Sequence, residues 1–356
     1  MEEAFRLARE GAGRTSPNPA VGAVIVRDGV VVGRGFHTWA GVHHAEIAAL
    51  NEAGEAARGA TLYVTLEPCS HQGRTGPCAG ALIQAGIARV VAAMQDPNPE
   101  VAGRGFELLR AAGIEVEIAG EYAAEAARLN EAFAHAMRTG RPLVTMKAAM
   151  TLDGKIAARP GESGWITSEQ ARAHAQRLRH AADAILTGIG TVLADDPLLT
   201  DRTGLERSRP LLRIVLDSQL RIPLQSRLVQ TAREDLLVFT TAAAPAQRAE
   251  ELQRRGIGVL PSDGGFDDVL RFLSRAQYRS LLIEAGATLN ASALEAAIVD
   301  KIFFYYAPKI LGGLGSMPAV GGVGRTLGNA LLLENITVHN IAPDEFAVEA
   351  YVHRNR

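Results

Sequence analysis

Two α/β domains are what this 356-residue sequence predicts. Stretches patterned as strands and as helices alternate along almost the whole chain, the signature of sheets covered by helices on their faces. The alternation breaks at Arg138-Thr-Gly-Arg-Pro142, where Gly and Pro stop a helix just before a new strand begins. The length also exceeds what one hydrophobic core usually serves. The expected division is residues 1–141 and residues 142–356.

In the first half, Ala4, Phe5, Leu7 and Ala8 form one apolar face of an opening helix. Ala20–Val26 and Val30–Gly33 flank Asp28-Gly29, a type I′ hairpin signal. His44–Ala57 is Ala-rich and reads as a helix. Thr61–Leu66 reads as a short strand running into Glu67-Pro68-Cys69. Then follow a helix over Cys78–Ala85, a buried strand over Arg89–Met94, a helix over Val101–Ala112 and a strand over Ile114–Ile118. A single helix over Glu121–Met137 closes the half.

The second half opens with a strand at Leu143–Ala149 and keeps the rhythm. Strands are expected at Ala184–Gly188, Leu212–Asp217, Leu236–Thr240, Gly258–Leu260, Ser280–Glu284 and Lys301–Ala307. Helices lie between, at Ser168–Ala182, Pro245–Arg255, Phe266–Ser274 and Leu289–Ala297. Thr337–Asn340 and Phe346–Tyr351 read as a closing antiparallel pair. There is no short internal repeat and no low-complexity tract.

Composition narrows the function classes. Hydrophobic residues make up 47% and charged residues 21%, which argues against long disordered tracts. A net charge of −2 offers no global field for a polyanion, which weighs against a nucleic-acid enzyme. The acidic, amphipathic start MEEAFRLAREGAG is unlike a signal peptide, and no stretch approaches the roughly 20 apolar residues that span a bilayer. Only two Cys are present, so a reducing cytoplasm is expected and a close Cys pair is better explained as metal ligands.

The strongest chemical signal is His44-Ala-Glu46 followed by Pro68-Cys69 and Cys78. One imidazole and two thiolates leave the fourth tetrahedral position of zinc to water. That ligand set cancels the charge of the ion, and the bound water, its pKa strongly lowered, becomes a nucleophile near neutral pH. Glu46 is not a ligand in this scheme but the proton shuttle, as in zinc nucleobase deaminases. Residues 44 and 46 diverge by about 200° inside a helix, so they share a site only at its start. His43 is the neighbour most easily mistaken for the ligand; the spacing to Glu46 favours His44. Nucleobase deaminases usually close this motif as Cys-x-x-Cys. Here eight residues separate the cysteines, and that loop carries His71 and Arg74, suited to contacting a substrate phosphate.

At this loop the sequence resembles a family of bifunctional riboflavin-biosynthesis enzymes. These join a diaminohydroxyphosphoribosylaminopyrimidine deaminase to a 5-amino-6-(5-phosphoribosylamino)uracil reductase. The resemblance is carried in order by Ser16-Pro-Asn-Pro-Ala-Val-Gly22, His44-Ala-Glu46, Thr65-Leu-Glu-Pro-Cys-Ser-His-Gln-Gly-Arg-Thr-Gly-Pro-Cys78, Gln95-Asp-Pro-Asn-Pro99 and Val101-Ala-Gly-Arg-Gly105. It continues through Leu152-Asp-Gly-Lys155, Trp165-Ile-Thr-Ser168, Ala194-Asp-Asp-Pro197 and Ala307-Pro-Lys309, nearly the whole chain. One departure is Gly76-Pro77, where the family commonly shows Pro-Pro; it removes no chemistry.

The resemblance implies a cytidine-deaminase-like α/β/α sandwich followed by a dihydrofolate-reductase-like α/β domain. It implies one Zn2+ on His44, Cys69 and Cys78, with Glu46 catalytic and with substrate contacts from Asn18, His37, His71 and Arg74. In the second domain it implies an NADPH site lined by Ala149, Trp165, Thr191, Asp195, Gly286, Ala287, Thr288, Leu289, Asn290 and Ala291. Lys147, Ser163, Thr167, Arg179, Arg202 and Glu284 would hold the phosphoribosyl-pyrimidine. The residues alone do not show this cofactor: no Gly-x-Gly-x-x-Gly follows a strand with its acidic partner. Thr187-Gly-Ile-Gly-Thr191 and Leu311-Gly-Gly-Leu-Gly-Ser316 are Gly-rich turns compatible with close approach of a dinucleotide.

The function expected is therefore zinc-dependent deamination of a pyrimidine ribosyl-phosphate, then NADPH-dependent reduction of its ribosyl group. A cytoplasmic homo-oligomer, dimer or larger, is expected, with a small-molecule substrate and neither nucleic acid nor membrane as partner. The competing reading is a deaminase of another amino-pyrimidine or of nucleic acid fused to an unrelated α/β domain. The long loop between the cysteines, the charge and the second-half motifs count against it. A third reading, a degenerate domain kept for binding, conflicts with motif residues being present in both halves.

Overall fold

The computed structural model describes residues 1–11, 13–38, 43–70, 76–158, 164–262 and 265–353. The chain divides into two compact units, Met1–Arg141 with Glu206–Arg209, and Pro142–Leu205 with Pro210–Arg356.

In the first unit the order is α1 (Glu2–Glu10), β1 (Gly22–Arg27), β2 (Val30–Phe36), α2 (Ala45–Ala53), β3 (Thr61–Val64), α3 (Cys78–Ala85), β4 (Arg89–Ala92), α4 (Arg104–Ala111), β5 (Glu115–Ile118), α5 (Ala123–Leu129) and α6 (Glu131–Thr139). The sheet runs β2-β1-β3-β4-β5. β1 is antiparallel to β2 and β3, while β3, β4 and β5 are parallel and joined by helical crossovers. Asp28 and Gly29 both have positive φ (51° and 78°), as the I′ turn between β1 and β2 requires.

Strand alternation sorts the two faces. Ala23 and Ile25 of β1 pack with Leu62, Val64 and Val90 against α2, α3 and α4. Val24, between them, packs against Ala4 and Leu7 of α1, and Phe5 meets Ala93 and Ala126 of α5. Helices thus cover both faces, giving the α/β/α sandwich.

The final helix differs from expectation. In place of one helix over Glu121–Met137, α5 and α6 are separated at Asn130, which leaves helical geometry (φ −110°, ψ 25°). Its buried amide donates to the carbonyl of Ala20 at 3.0 Å and accepts the N–H of Ala20 at 2.7 Å. That long-range pair outweighs helix continuation at Asn130. Two other helices are shorter than expected. α4 starts at Arg104 because Gly103, at φ 81°, cannot belong to a right-handed helix. α2 gives way at Gly54 to a 3-10 turn over Gly54–Ala57.

The second unit contains β6 (Leu143–Thr151), β7 (Lys155–Ala157), α7 (Glu169–Ala181), β8 (Ala184–Gly188), α8 (Ile189–Asp195), β9 (Leu212–Leu216), α9 (Arg227–Gln230), β10 (Leu236–Thr240), α10 (Ala246–Gln253) and β11 (Gly258–Pro261). After these come α11 (Phe266–Arg275), β12 (Ser280–Glu284), α12 (Ala287–Glu295), β13 (Lys301–Ala307), β14 (Met317–Pro318), β15 (Leu333–Ala342) and β16 (Glu345–Val352). The nine-stranded sheet has the order β11-β10-β9-β8-β12-β6-β13-β16-β15. The seven strands from β11 to β13 are parallel, and β16 and β15 add antiparallel at the end.

Buried runs on these strands fit a sheet covered on both sides. Val144, Met146, Leu186 and Ile214 pack with α11 and α12, whereas Ile185, Val215 and Val238 pack with α8 and α10. The short β7–β14 pair, α8 and α9 have no counterpart in the expected elements. The Gly-rich stretch at 187–191, expected as a turn, instead starts α8, with Gly188 as its N-cap. α12 likewise begins two residues earlier than expected, capped by Gly286.

Candidate active sites

In the first unit, the turn after β3, the start of α2 and the start of α3 converge. His44 is the N-cap of α2 in extended conformation, so its side chain leaves the helix at its positive end. Cys78 is the first residue of α3, and Cys69 follows β3 in the turn. The imidazole Nδ1 of His44 lies 3.2 Å from Cys78 Sγ and 3.6 Å from Cys69 Sγ, and the three donor atoms lie within 4.8 Å of one another. The Cys78 N–H donates to Cys69 Sγ at 3.4 Å.

The approach of α2 depends on Gly35 of β2. A Cβ there would stand 2.1 Å from the carbonyl oxygen of Ala45 and 2.7 Å from the N–H of Ala49. Hydrogen alone fits, which seats the first turn of α2 directly on the sheet.

Glu46, in that first turn, is 4% exposed. Burial lifts its carboxyl to about 7, Cys69 adds to the rise, and His44 and a hydrogen bond with Cys78 pull the other way. The hydrogen bond from Cys78, with His44 beside it, lowers the Cys69 thiol, while that same contact and burial push Cys78 up. One imidazole nitrogen and two converging sulfurs form a donor set that suits zinc, and a dication would displace any thiol proton.

His37 and Asn18 stand beside this trio. The His37 ring meets that of His44 edge-on at 5.1 Å. Its Nδ1 faces the carbonyl of His43 at 3.3 Å, which makes Nδ1 the protonated nitrogen and leaves Nε2 to accept from Asn18 Nδ2 at 3.0 Å. Burial lowers the His37 pKa and favours the neutral ring. The amide of Asn18 is thereby oriented, with Oδ1 as its acceptor. His71 and Arg74 lie outside the described residues, as does Ser163 of the second unit.

In the second unit, Lys147 of β6 and Glu284 at the carboxyl end of β12 lie where strand order reverses, the place at which open α/β sheets put their ligands. Glu284 ends β12 and pairs in register with Lys147 of β6. Its Oε2 accepts from Lys147 Nζ at 3.2 Å and from Arg179 Nη2 at 2.9 Å, and its Oε1 accepts from Arg179 Nε at 2.7 Å. Burial alone would raise the carboxyl; the two cations overrule it and hold it down to about 2.

Lys147, Ala149, Trp165 and Thr167 line one cavity of 170 Å³ together with Arg172 and Tyr305. Trp165 is 74% exposed, with the Arg172 guanidinium 4.6 Å from its ring centroid. Arg202 has its pKa lowered by burial and by the nearby charges of Arg179 and Arg227, with Glu284 pulling the other way. Thr191 and Asp195 lie four residues apart on α8, so they share a helix face.

The N-terminus of α12 faces Thr191, whose Oγ1 is 3.8 Å from where a Cβ on Gly286 would stand. Ala287, Asn290 and Ala291 are buried. Asn290 donates to the carbonyls of Ala285 and Ala319, and its Oδ1 has no partner among the described residues. A helix start without a side-chain cap, at a sheet switch point, suits the diphosphate of a dinucleotide. Arg172, Arg227 and Tyr305 were not among the expected site residues. Only Arg172, seven residues after Trp165, is near enough in sequence for spacing to have suggested it.

These two units define a metal-dependent amine hydrolase joined to a nucleotide-dependent oxidoreductase. The family model described as cytidine and deoxycytidylate deaminase zinc-binding region matches residues 1–94, and that described as RibD C-terminal domain matches residues 142–344. The riboflavin biosynthesis protein RibD of Actinobacillus pleuropneumoniae is 47% identical, the alignment covering 91% of this chain and 87% of that protein. RibD of Escherichia coli K12 is 44% identical, with 97% and 96% covered. Among solved structures, RibD of Acinetobacter baumannii (form 1) matches with a TM-score of 0.89 at 39% identity, over 99% of this chain and 98% of that one. A Thermotoga maritima structure titled diaminohydroxyphosphoribosylaminopyrimidine deaminase/5-amino-6-(5-phosphoribosylamino)uracil reductase matches at 0.84 and 36% identity, covering 99% and 97%. The chain belongs to the RibD family, the bifunctional deaminases and reductases of riboflavin biosynthesis.

Proposed function

We propose that residues 1–141 hydrolyse the exocyclic amine at C2 of 2,5-diamino-6-ribosylamino-4(3H)-pyrimidinone 5′-phosphate, and that residues 142–356 then reduce the ribosyl group to ribityl. The observation that carries the reading is the convergence of His44, Cys69 and Cys78 with the buried carboxyl of Glu46 beside them.

Zinc held by that trio supplies a water of strongly lowered pKa. Glu46 would carry one proton of this water to the ring nitrogen and then the second, from the attacking oxygen, to the departing amine, so ammonia leaves and a carbonyl oxygen replaces it. Asn18, oriented by His37, reads the pyrimidinone edge with its donor and acceptor. His71 and Arg74 are assigned to the substrate phosphate on the family resemblance alone.

NADPH supplies the hydride for the second reaction. Ala149, Trp165, Thr191, Asp195 and residues 286–291 line its site. When bound, the cofactor would deliver hydride to C1′ as the bond from C1′ to the ring oxygen breaks, and that oxygen would take a proton from solvent to become the hydroxyl of the ribityl chain. Lys147, Ser163, Thr167 and Glu284 hold the sugar and base. Arg179 and Arg202 meet the 5′-phosphate, a role supported by burial and the charges of Arg179 and Arg227, which disfavour an unpaired cation at Arg202.

Self-association of this chain is supported by its edge strand. β15 ends the nine-stranded sheet and carries Ile336 and Val338, each 61% exposed. A homodimer or larger homo-oligomer would cover them. The net charge of −2 favours a small phosphorylated substrate over nucleic acid. No helix among the described residues is long and apolar enough to cross a membrane. Two unpaired cysteines kept as ligands suit the cytoplasm.

The test measures ammonia release from the diaminopyrimidinone ribosyl-phosphate, then NADPH oxidation, in wild type and Glu46→Gln. The variant should bind zinc, lose ammonia release by a factor of about 100 or more, and still oxidise NADPH on the deaminated substrate. Simultaneous loss of both activities would overturn the two-site assignment.

A further inference from the structure

Glu67 precedes Cys69 by two residues, and no step above uses it. Its side chain is 3% exposed. Four backbone N–H groups donate into its carboxylate. Asp96 and Gly103 reach Oε2 at 3.0 and 2.9 Å, and Gly105 and Phe106 reach Oε1 at 2.8 and 3.3 Å. An ionised carboxylate offers about four acceptor sites, so the group is saturated. Three of the four donors open α4, where a helix leaves its N–H groups without internal partners and favours negative charge.

The same turn is fixed at three further points. The Glu67 N–H donates to the Met94 carbonyl at 3.0 Å, and the Ala79 N–H donates to the Cys69 carbonyl at 3.1 Å. The Pro68 carbonyl oxygen stands 2.0 Å from where a Cβ on Gly105 would be. Gly105 therefore has to be glycine for α4 to close on the Pro68-Cys69 turn. Stretches 95–99 and 101–105, which carry family resemblance but no chemistry of their own, meet at this carboxylate.

We propose that Glu67 is a positioning residue of the metal centre. It clamps the Cys69 turn to the start of α4, so that zinc affinity is set in part by residues that never touch the ion. The proposal rests on His44, Cys69 and Cys78 being the ligands. Outer partners of metal ligands typically contribute about 10- to 100-fold in affinity. Glu67→Gln keeps the shape but offers only two acceptor sites and turns an NH2 toward two N–H donors.

Three measurements on the full-length protein test this. Zinc affinity by competition with a chromophoric chelator should fall about tenfold or more in Glu67→Gln and in Gly105→Ala. The absorption bands of the Co2+-substituted protein should change shape in both variants, a signature that loss of stability alone would not move. Because coupling is reciprocal, zinc added to wild type should slow amide hydrogen exchange at Gly103, Gly105 and Phe106. Failure of wild type to bind one zinc would instead sink the ligand reading beneath the proposal. The proposal itself is overturned by unchanged exchange at those amides. Affinities within twofold of wild type together with an unaltered Co2+ spectrum also overturn it. The exchange experiment decides the matter if neither variant folds.

Discussion

Glu284 and Lys147 face each other across the parallel β12–β6 ladder, carboxylate to ammonium at 3.2 Å, with Arg179 closing the carboxylate from the other side. Glu284 is held down to about 2 from an ordinary 4.5. A carboxyl lowered in the folded state stabilises the fold fully above its unfolded pKa and loses that contribution as pH falls toward the folded one. The shift corresponds to about 3 kcal/mol. Glu284→Gln should lower the denaturant midpoint at pH 7 and suppress NADPH oxidation. The gap to wild type should narrow between pH 4.5 and 2, and a gap independent of pH would contradict the ion-pair account.

Trp165 is largely exposed and lines the same cavity as Lys147. Trp165→Ala should shift the melting temperature little, because exposed substitutions usually stay within about 0.5 kcal/mol. It should raise KM for NADPH several-fold and leave ammonia release intact. An unchanged KM would remove Trp165 from the cofactor site.

Gly35 seats the first turn of α2, and with it His44 and Glu46. In Gly35→Ala the added methyl would meet backbone rather than a movable side chain. Overpacking of this kind costs about 1–3 kcal/mol. Calorimetry should show a lower melting temperature, and titration should show weaker zinc binding. Wild-type behaviour in both would mean the two elements separate without consequence.

Asn130 clamps both backbone groups of Ala20, two residues from Asn18. Asn130→Ala leaves a buried donor and acceptor unpaired, at a cost of about 1–3 kcal/mol each. Equilibrium unfolding in urea should record the loss. Deaminase KM should rise while zinc affinity stays at the wild-type level, since Asn130 lies outside the ligand trio.

Much of the fold was legible because it follows local pattern. Alternating apolar runs such as Val24 against Ala23 and Ile25, and the Asp28-Gly29 turn, commit a segment whatever surrounds it. The candidate ligand trio was legible because zinc chemistry demands particular residue types, here two at helix starts and one in a turn. Short elements such as β7 and α9 left no mark, since three or four residues carry no period.

What the chain alone decided is therefore where the longer strands and helices fall, and which side chains can ligate metal. Tertiary structure decided the rest. Asn130 breaks a helix because a strand-side backbone 110 residues away offers its amide better partners. Glu67, an unremarked residue in a recognised motif, gains a role only when α4 brings four N–H groups to it. Arg227 joins Arg179 and Arg202 from a separate element. Each of these depends on the distance between groups far apart in the chain, and local propensity does not encode that distance.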